Sequence, residues 1–170
     1  METTQTQEKS PMTAEPQKEH QWLQKLVGEW TYEGEATEPG KPPQRFQGTE
    51  RVRSLGELWI LAWGQGEMPG GGAATMVLTL GYDAQKSRYV GTWVGSMMTY
   101  LWLYNGELDA AEKVLTLHTE GPSMSNDGTV AEYKEMIELK SDDHRVWTSS
   151  VLGDDGKWRQ FMTASYRRTK

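Results

Sequence analysis

The 170-residue chain has no cysteine and only three histidines. Without thiols there can be no disulfide, no thiolate nucleophile, no Cys-ligated zinc and no iron–sulfur cluster. Three histidines leave little from which to build a multi-histidine metal site, so no metal is expected. Positive charge is also short. Lys and Arg number 18 against 24 Asp and Glu, for a formal net charge of −6. That balance argues against a general nucleic-acid binder, which needs basic surface to neutralise phosphates, and against a polybasic membrane-surface protein. No apolar run approaches the roughly 18 residues that mark a transmembrane helix. The first residues lack the apolar core of a secretory signal. The expectation is an acidic cytoplasmic domain with no nucleic-acid or membrane partner.

Apolar residues are nearly missing from residues 1–19, which hold only Met1, Met12 and Ala14 beside Pro11 and Pro16. Such a stretch cannot bury a core. Residues 1–18 are expected to be a disordered polar tail, and residues 19–170 one domain. A body of that size buries about 70% of its unfolded surface, enough for a core without staples.

The first periodic segment is residues 19–27, where Trp22, Leu23, Leu26 and Val27 recur at helical spacing. Gly28 ends it. A helix this short is not stable alone and must dock on something apolar. Beyond Gly28 the period changes to two. Ten strand-like runs follow, over about 29–38, 44–54, 57–67, 74–82, 87–97, 99–106, 113–120, 129–140, 144–152 and 157–169. Turn residues separate them, such as Pro39-Gly40, Pro69 to Gly72 and Gly153-Asp154-Asp155-Gly156. Short strands joined by tight turns make an antiparallel meander. Ten of them in an open sheet would leave long exposed edges, and closure removes the edges. The fold expected is all-β, a ten-stranded up-and-down barrel with the short N-terminal helix across one end. A barrel of this strand number has room for a cavity.

Gly28-Glu29-Trp30 is a G-x-W at the start of the first strand. It resembles the opening signature of the calycins: lipocalins, fatty-acid-binding proteins and nitrobindin-like proteins. In that group the Trp lies at the closed end and an Arg from the last strand packs over it. Arg168 is the matching residue here. A longer resemblance runs through Glu19-His20, Trp22-Leu23, Val27 to Trp30, Leu55-Gly56, Trp59-Ile60, Leu80 to Asp83, Tyr89 to Val94, Glu120-Gly121-Pro122, Asp142 to Arg145, Gly156-Lys157-Trp158 and Met162-Thr163. Together these resemble a bacterial family known only as a domain of unknown function, with a calycin-like barrel. The resemblance implies a fold and brings no catalytic residues with it. Nitrobindin-like relatives bind haem through a barrel His. Only His118 lies mid-strand here, on the face opposite Leu115 and Leu117, so haem is not expected.

Eight tryptophans are many for this length. They fit either an aromatic cavity or ordinary strand packing. Alternation turns Phe46, Gly48, Glu50 and Val52 inward, along with Ala74 to Tyr82 at every second residue, and Tyr133, Glu135, Ile137 and Leu139. In the last strand it turns Trp158, Gln160, Met162, Ala164, Tyr166 and Arg168 to one face. Glu50, Glu135 and Gln160 thus fall among apolar neighbours, where an unpaired carboxylate is costly. They could anchor a ligand's polar group, act as an acid/base pair, or form a structural network with Arg53, Arg168 or water. Residues 87–97 and 99–106 are apolar on both faces, so their inner sets cannot be assigned. Pro69 to Ala73 has the glycine density of a phosphate loop but lacks the G-K-[ST] ending and a following helix. A hairpin at the barrel mouth is the better reading. Ser96, Ser123 and Ser149 have no His/Asp context for a hydrolase.

These features favour a module that binds a small apolar or amphipathic molecule inside the barrel. Trp63, Met76, Trp93, Trp102, Tyr133 and Met162 would line it, with Glu135 and Gln160 as polar anchors. The alternatives are an enzyme using Glu50 and Glu135 as acid and base, and a homodimer pairing through an outer sheet face.

Overall fold

The computed structural model describes residues 12–170; for residues 1–11 the expected tail lies outside the described residues. One helix and ten strands follow in order: α1 (Lys18–Gln24), β1 (Gly28–Ala36), β2 (Gln44–Leu55), β3 (Trp59–Glu67), β4 (Ala73–Asp83), β5 (Arg88–Gly95), β6 (Trp102–Leu108), β7 (Val114–Pro122), β8 (Val130–Ser141), β9 (His144–Leu152) and β10 (Trp158–Arg168). Each strand pairs antiparallel with its neighbours in sequence, and β1 pairs with β10 to close the barrel. The ten-stranded meander expected from the turn residues is the fold.

Closure is set by register. Trp30 faces Arg168 across the β1–β10 seam, and Tyr32 faces Tyr166. The Arg168 guanidinium carbon lies 4.2 Å from the Trp30 ring centroid, the contact the G-x-W signature implies. It is worth about 0.5–2 kcal/mol. Arg168 also donates to the Lys25 carbonyl at 2.7 Å and to the Val27 carbonyl, so the last strand ties down the end of the helix.

The helix plugs this end of the barrel. Trp22, Leu23 and Leu26 are buried against Ile60, Leu80, Tyr89 and Trp30. The Trp22 indole N–H donates to the Glu112 carbonyl at 2.7 Å in the β6–β7 turn. His20 accepts from the Gln17 amide at Nδ1 (2.9 Å) and donates from Nε2 to the Tyr82 carbonyl (3.0 Å). Those two bonds require the Nε2–H tautomer, and they place all of the His20 bonding capacity in the cap. With Leu115, Leu117 and Ile137, these residues make the capped half a solid apolar core. The other half is different: its inner side chains pack along the wall and leave the centre open.

Candidate functional site

The open half encloses a cavity of about 600 Å³. Its wall is built by alternation, since every second residue of a barrel strand points in. Tyr32 comes from β1, Phe46 and Glu50 from β2, Ala62 and Gly64 from β3, Met76 and Leu78 from β4, and Trp93 from β5. Trp102 and Tyr104 of β6, Tyr133 and Glu135 of β8, Trp147 and Ser149 of β9, and Met162 and Tyr166 of β10 complete it. The rim is formed by the β3–β4 loop with Met68 and Pro69, the β5–β6 loop with Met97 to Tyr100, and Pro122 to Met124. The glycine-rich hairpin therefore does lie at the mouth. Its turn is held by the Gly71 amide donating to the Met68 carbonyl at 2.9 Å.

Small residues make the room. A side chain at Gly48 or Gly66 would strike the Tyr32 hydroxyl and the neighbouring strand's backbone, so the Tyr32 ring can lie flat along the inner wall. At the mouth, aromatic rings meet edge to face. Trp102 and Tyr133 have centroids 5.1 Å apart, and Tyr133 and Phe161 6.0 Å. The Tyr133 hydroxyl is tied to the Pro122 carbonyl at 2.6 Å.

Polar groups gather where the cavity meets the solid core. Glu50 pairs with Arg145, whose guanidinium is only 2% exposed. Arg145 also lies over Tyr166 at 4.1 Å and Trp30 at 4.6 Å from their ring centroids. Its charge is thus engaged behind the cavity wall and is not offered to the interior. Among the described residues Glu135 has no cation beside it. Its Oε2 accepts from the Trp147 indole N–H at 2.7 Å and from the Ser149 hydroxyl. Burial pushes its carboxyl up to about 7 against these two stabilising bonds. Burial, then the charge of Glu50, pushes Tyr32 up to about 12. Burial, then Glu135, raises Tyr104.

Six of the eight expected ligand residues line the cavity: Met76, Trp93, Trp102, Tyr133, Glu135 and Met162. Trp63 and Gln160 do not. Trp63 is 48% exposed on the outer face, because β3 turns the smaller set Ile60, Ala62 and Gly64 inward. Gln160 is exposed because a β-bulge separates it from Met162. The extra residue, Phe161, reverses the alternation. Phe161 and Met162 both reach the cavity, while Trp158 is 39% exposed under the Lys134 ammonium. The partner of Glu50 also differs from expectation. It is Arg145, which sits in the acidic-looking stretch from Asp142. The signal was the alternation of Arg145, Trp147 and Ser149. His118 is on the outer face, 2.8 Å from Glu107. Among the described residues no cavity-lining side chain is His, so the wall does not fit a haem held through histidine.

A family model described as protein of unknown function (DUF1579) matches residues 15–168. The chain belongs to DUF1579. No curated protein matches it. Among solved structures, this DUF1579 barrel is similar to Rv2717c from M. tuberculosis, with TM-score 0.61 and 12% identity, over 92% of this chain and 100% of that one. It is also similar to the S-type phycobiliprotein lyase CPES from Guillardia theta, with TM-score 0.55 and 14% identity, over 88% and 92%. At these identities the likeness is one of fold. Among the described residues no helix is long and apolar enough to cross a membrane.

Proposed function

We propose that the protein binds a small amphipathic molecule inside the barrel. The observation that carries this reading is the cavity of about 600 Å³, closed at its inner end by the packed core and lined largely by aromatic, Met and Ala side chains. Concave, mostly apolar sites with a few placed polar groups are the usual form of small-molecule sites. The methionines Met76, Met97, Met98 and Met162 supply surface that can adapt to a guest. Native mass spectrometry of protein purified from its own host tests this, compared with the same sample after denaturation. A retained small molecule, released on denaturation, is the expected result. Protein that is empty and also fails to take up a neutral apolar dye would remove the reading.

A carboxyl pushed up to about 7 is also suited to proton transfer, which supports acid–base catalysis by Glu135 as a second reading. Glu50 would be its partner. Recovery of the incubated ligand with its mass and isomeric form unchanged counts against it. A homodimer is supported by a separate feature. Trp63, Val77 and Val94 lie side by side across β3, β4 and β5, and Leu103 on β6 is 61% exposed. Sedimentation as a monomer at high concentration would dismiss that pairing.

A further inference from the structure

The charged side chains lining the cavity are all of one sign. Glu50 and Glu135 face it from the wall and Glu67 stands at the rim. Among the described residues, none of the lining side chains is Lys, Arg or His. Arg145 does not line the cavity; its guanidinium pairs with Glu50 and lies over two aromatic rings. The donors near Glu135, the Trp147 N–H and the Ser149 hydroxyl, both reach its Oε2, so Oε1 keeps its accepting capacity. The Tyr32 hydroxyl, on a residue only 5% exposed, has no partner among the described residues. The Tyr133 hydroxyl proton is committed to Pro122. An anionic headgroup entering this cavity would meet the Glu135 carboxylate, once ionised above about pH 7, and no lining cation, which is a costly desolvated arrangement. A nitrogen that donates hydrogen bonds would meet the open oxygen of Glu135, a carboxylate with no cation beside it among the described residues.

We infer that the ligand's polar end is a basic nitrogen, held by the free oxygen of Glu135, with its aromatic or alkyl body among Met76, Trp93, Trp102 and Met162. This rests on the binding reading above and narrows it: fatty acids and other carboxylate amphiphiles are rejected. Charge-assisted hydrogen bonds are about twice as strong as neutral ones, so headgroup charge is the variable to change.

The test uses the full chain and three probes with one body, 4-phenylbutylamine, 4-phenylbutanol and 4-phenylbutyrate. Each competes with the neutral dye Nile red at about pH 8, above the raised carboxyl of Glu135. The amine is expected to bind about tenfold or more tighter than the alcohol, with the carboxylate weakest. In Glu135→Gln, which keeps the shape and the acceptor for Trp147 and Ser149, the amine's advantage is expected to vanish. Alcohol and dye binding should persist there. Carboxylate binding as tight as the amine in the unaltered protein overturns the inference, whatever the variant does, and leaves the binding reading intact. An amine preference that survives in folded Glu135→Gln overturns the role of Glu135. Failure of Nile red and all three probes to bind overturns the binding reading itself.

Discussion

Glu135 is the most consequential single residue. Its carboxyl stands at about 7 in the fold against an ordinary value of 4.5. Folding therefore favours the protonated form. The stability it supports is complete below about pH 4.5, is lost as pH rises through about 7, and changes no further above that. In ligand-free protein, Glu135→Gln is expected to be the more stable form at about pH 8, by on the order of 3 kcal/mol. The gap should close as the pH falls toward about 4.5. Urea unfolding across this range measures it, and a pH-independent gap would contradict the assignment. Arg145 makes the complementary case. It is 2% exposed and paired with Glu50, so Arg145→Leu strands a carboxylate beside apolar groups. Such single removals cost about 3–5 kcal/mol, whereas replacing both partners by apolar residues is often close to neutral. Adding Glu50→Leu to Arg145→Leu should then recover much of the loss in chemical denaturation. A double variant as unstable as the two losses summed would show that the pair is more than self-neutralising.

At the scale of elements, the helix is the piece with the least internal support. Its seven residues make fewer than two turns, and such a segment holds its shape only through docking. Leu23 is fully buried beneath it. Leu23→Ala is expected to cost about 2–5 kcal/mol, read by thermal or urea unfolding. A loss well under 1 kcal/mol would mean that the plug is dispensable to the barrel. The strands themselves were legible because turn residues punctuate them. Gly153 to Gly156, for instance, closes β9 to β10 with the Gly153 amide and the Lys157 carbonyl 2.9 Å apart. Inner faces were legible wherever polar and apolar residues alternate, as in β2, β4 and β8. They were not legible in β3, where Trp59, Leu61 and Trp63 alternate with Ile60, Ala62 and Gly64. The inward set is the smaller one because Tyr32 needs the space over Gly48 and Gly66. That demand comes from β1, and its mark in β3 is only a glycine, Gly66, which by itself does not say which face turns in. The bulge at Phe161 was hidden for the same kind of reason. Both phases of β10 carry large residues, so only pairing with β9 decides which one turns in. Arg145 was masked by the acidic turn before it, although its alternation with Trp147 was present.

The molecule as a whole is a barrel of two unequal halves. One is packed solid from Trp22 to Ile137 and stitched by the seam between first and last strands. The other is walled but hollow, and its polar groups sit at the boundary between them. This division explains how the fold tolerates an interior of about 600 Å³, since the core that stabilises it lies elsewhere. Methionine is distributed unevenly over the same division. Met68, Met97, Met98 and Met124 surround the mouth, with Met98 43% and Met124 51% exposed. Met98 Sδ also accepts the Trp102 indole N–H at 3.1 Å. Thioethers are readily converted to polar sulfoxides. Mild peroxide should therefore mark Met98 and Met124 before Met76 and Met162, in an order that peptide mass mapping can follow. Within the barrel of this cysteine-free protein the entrance would then be the oxidant-sensitive part, turning from greasy to wet while the stabilising core behind it stays intact.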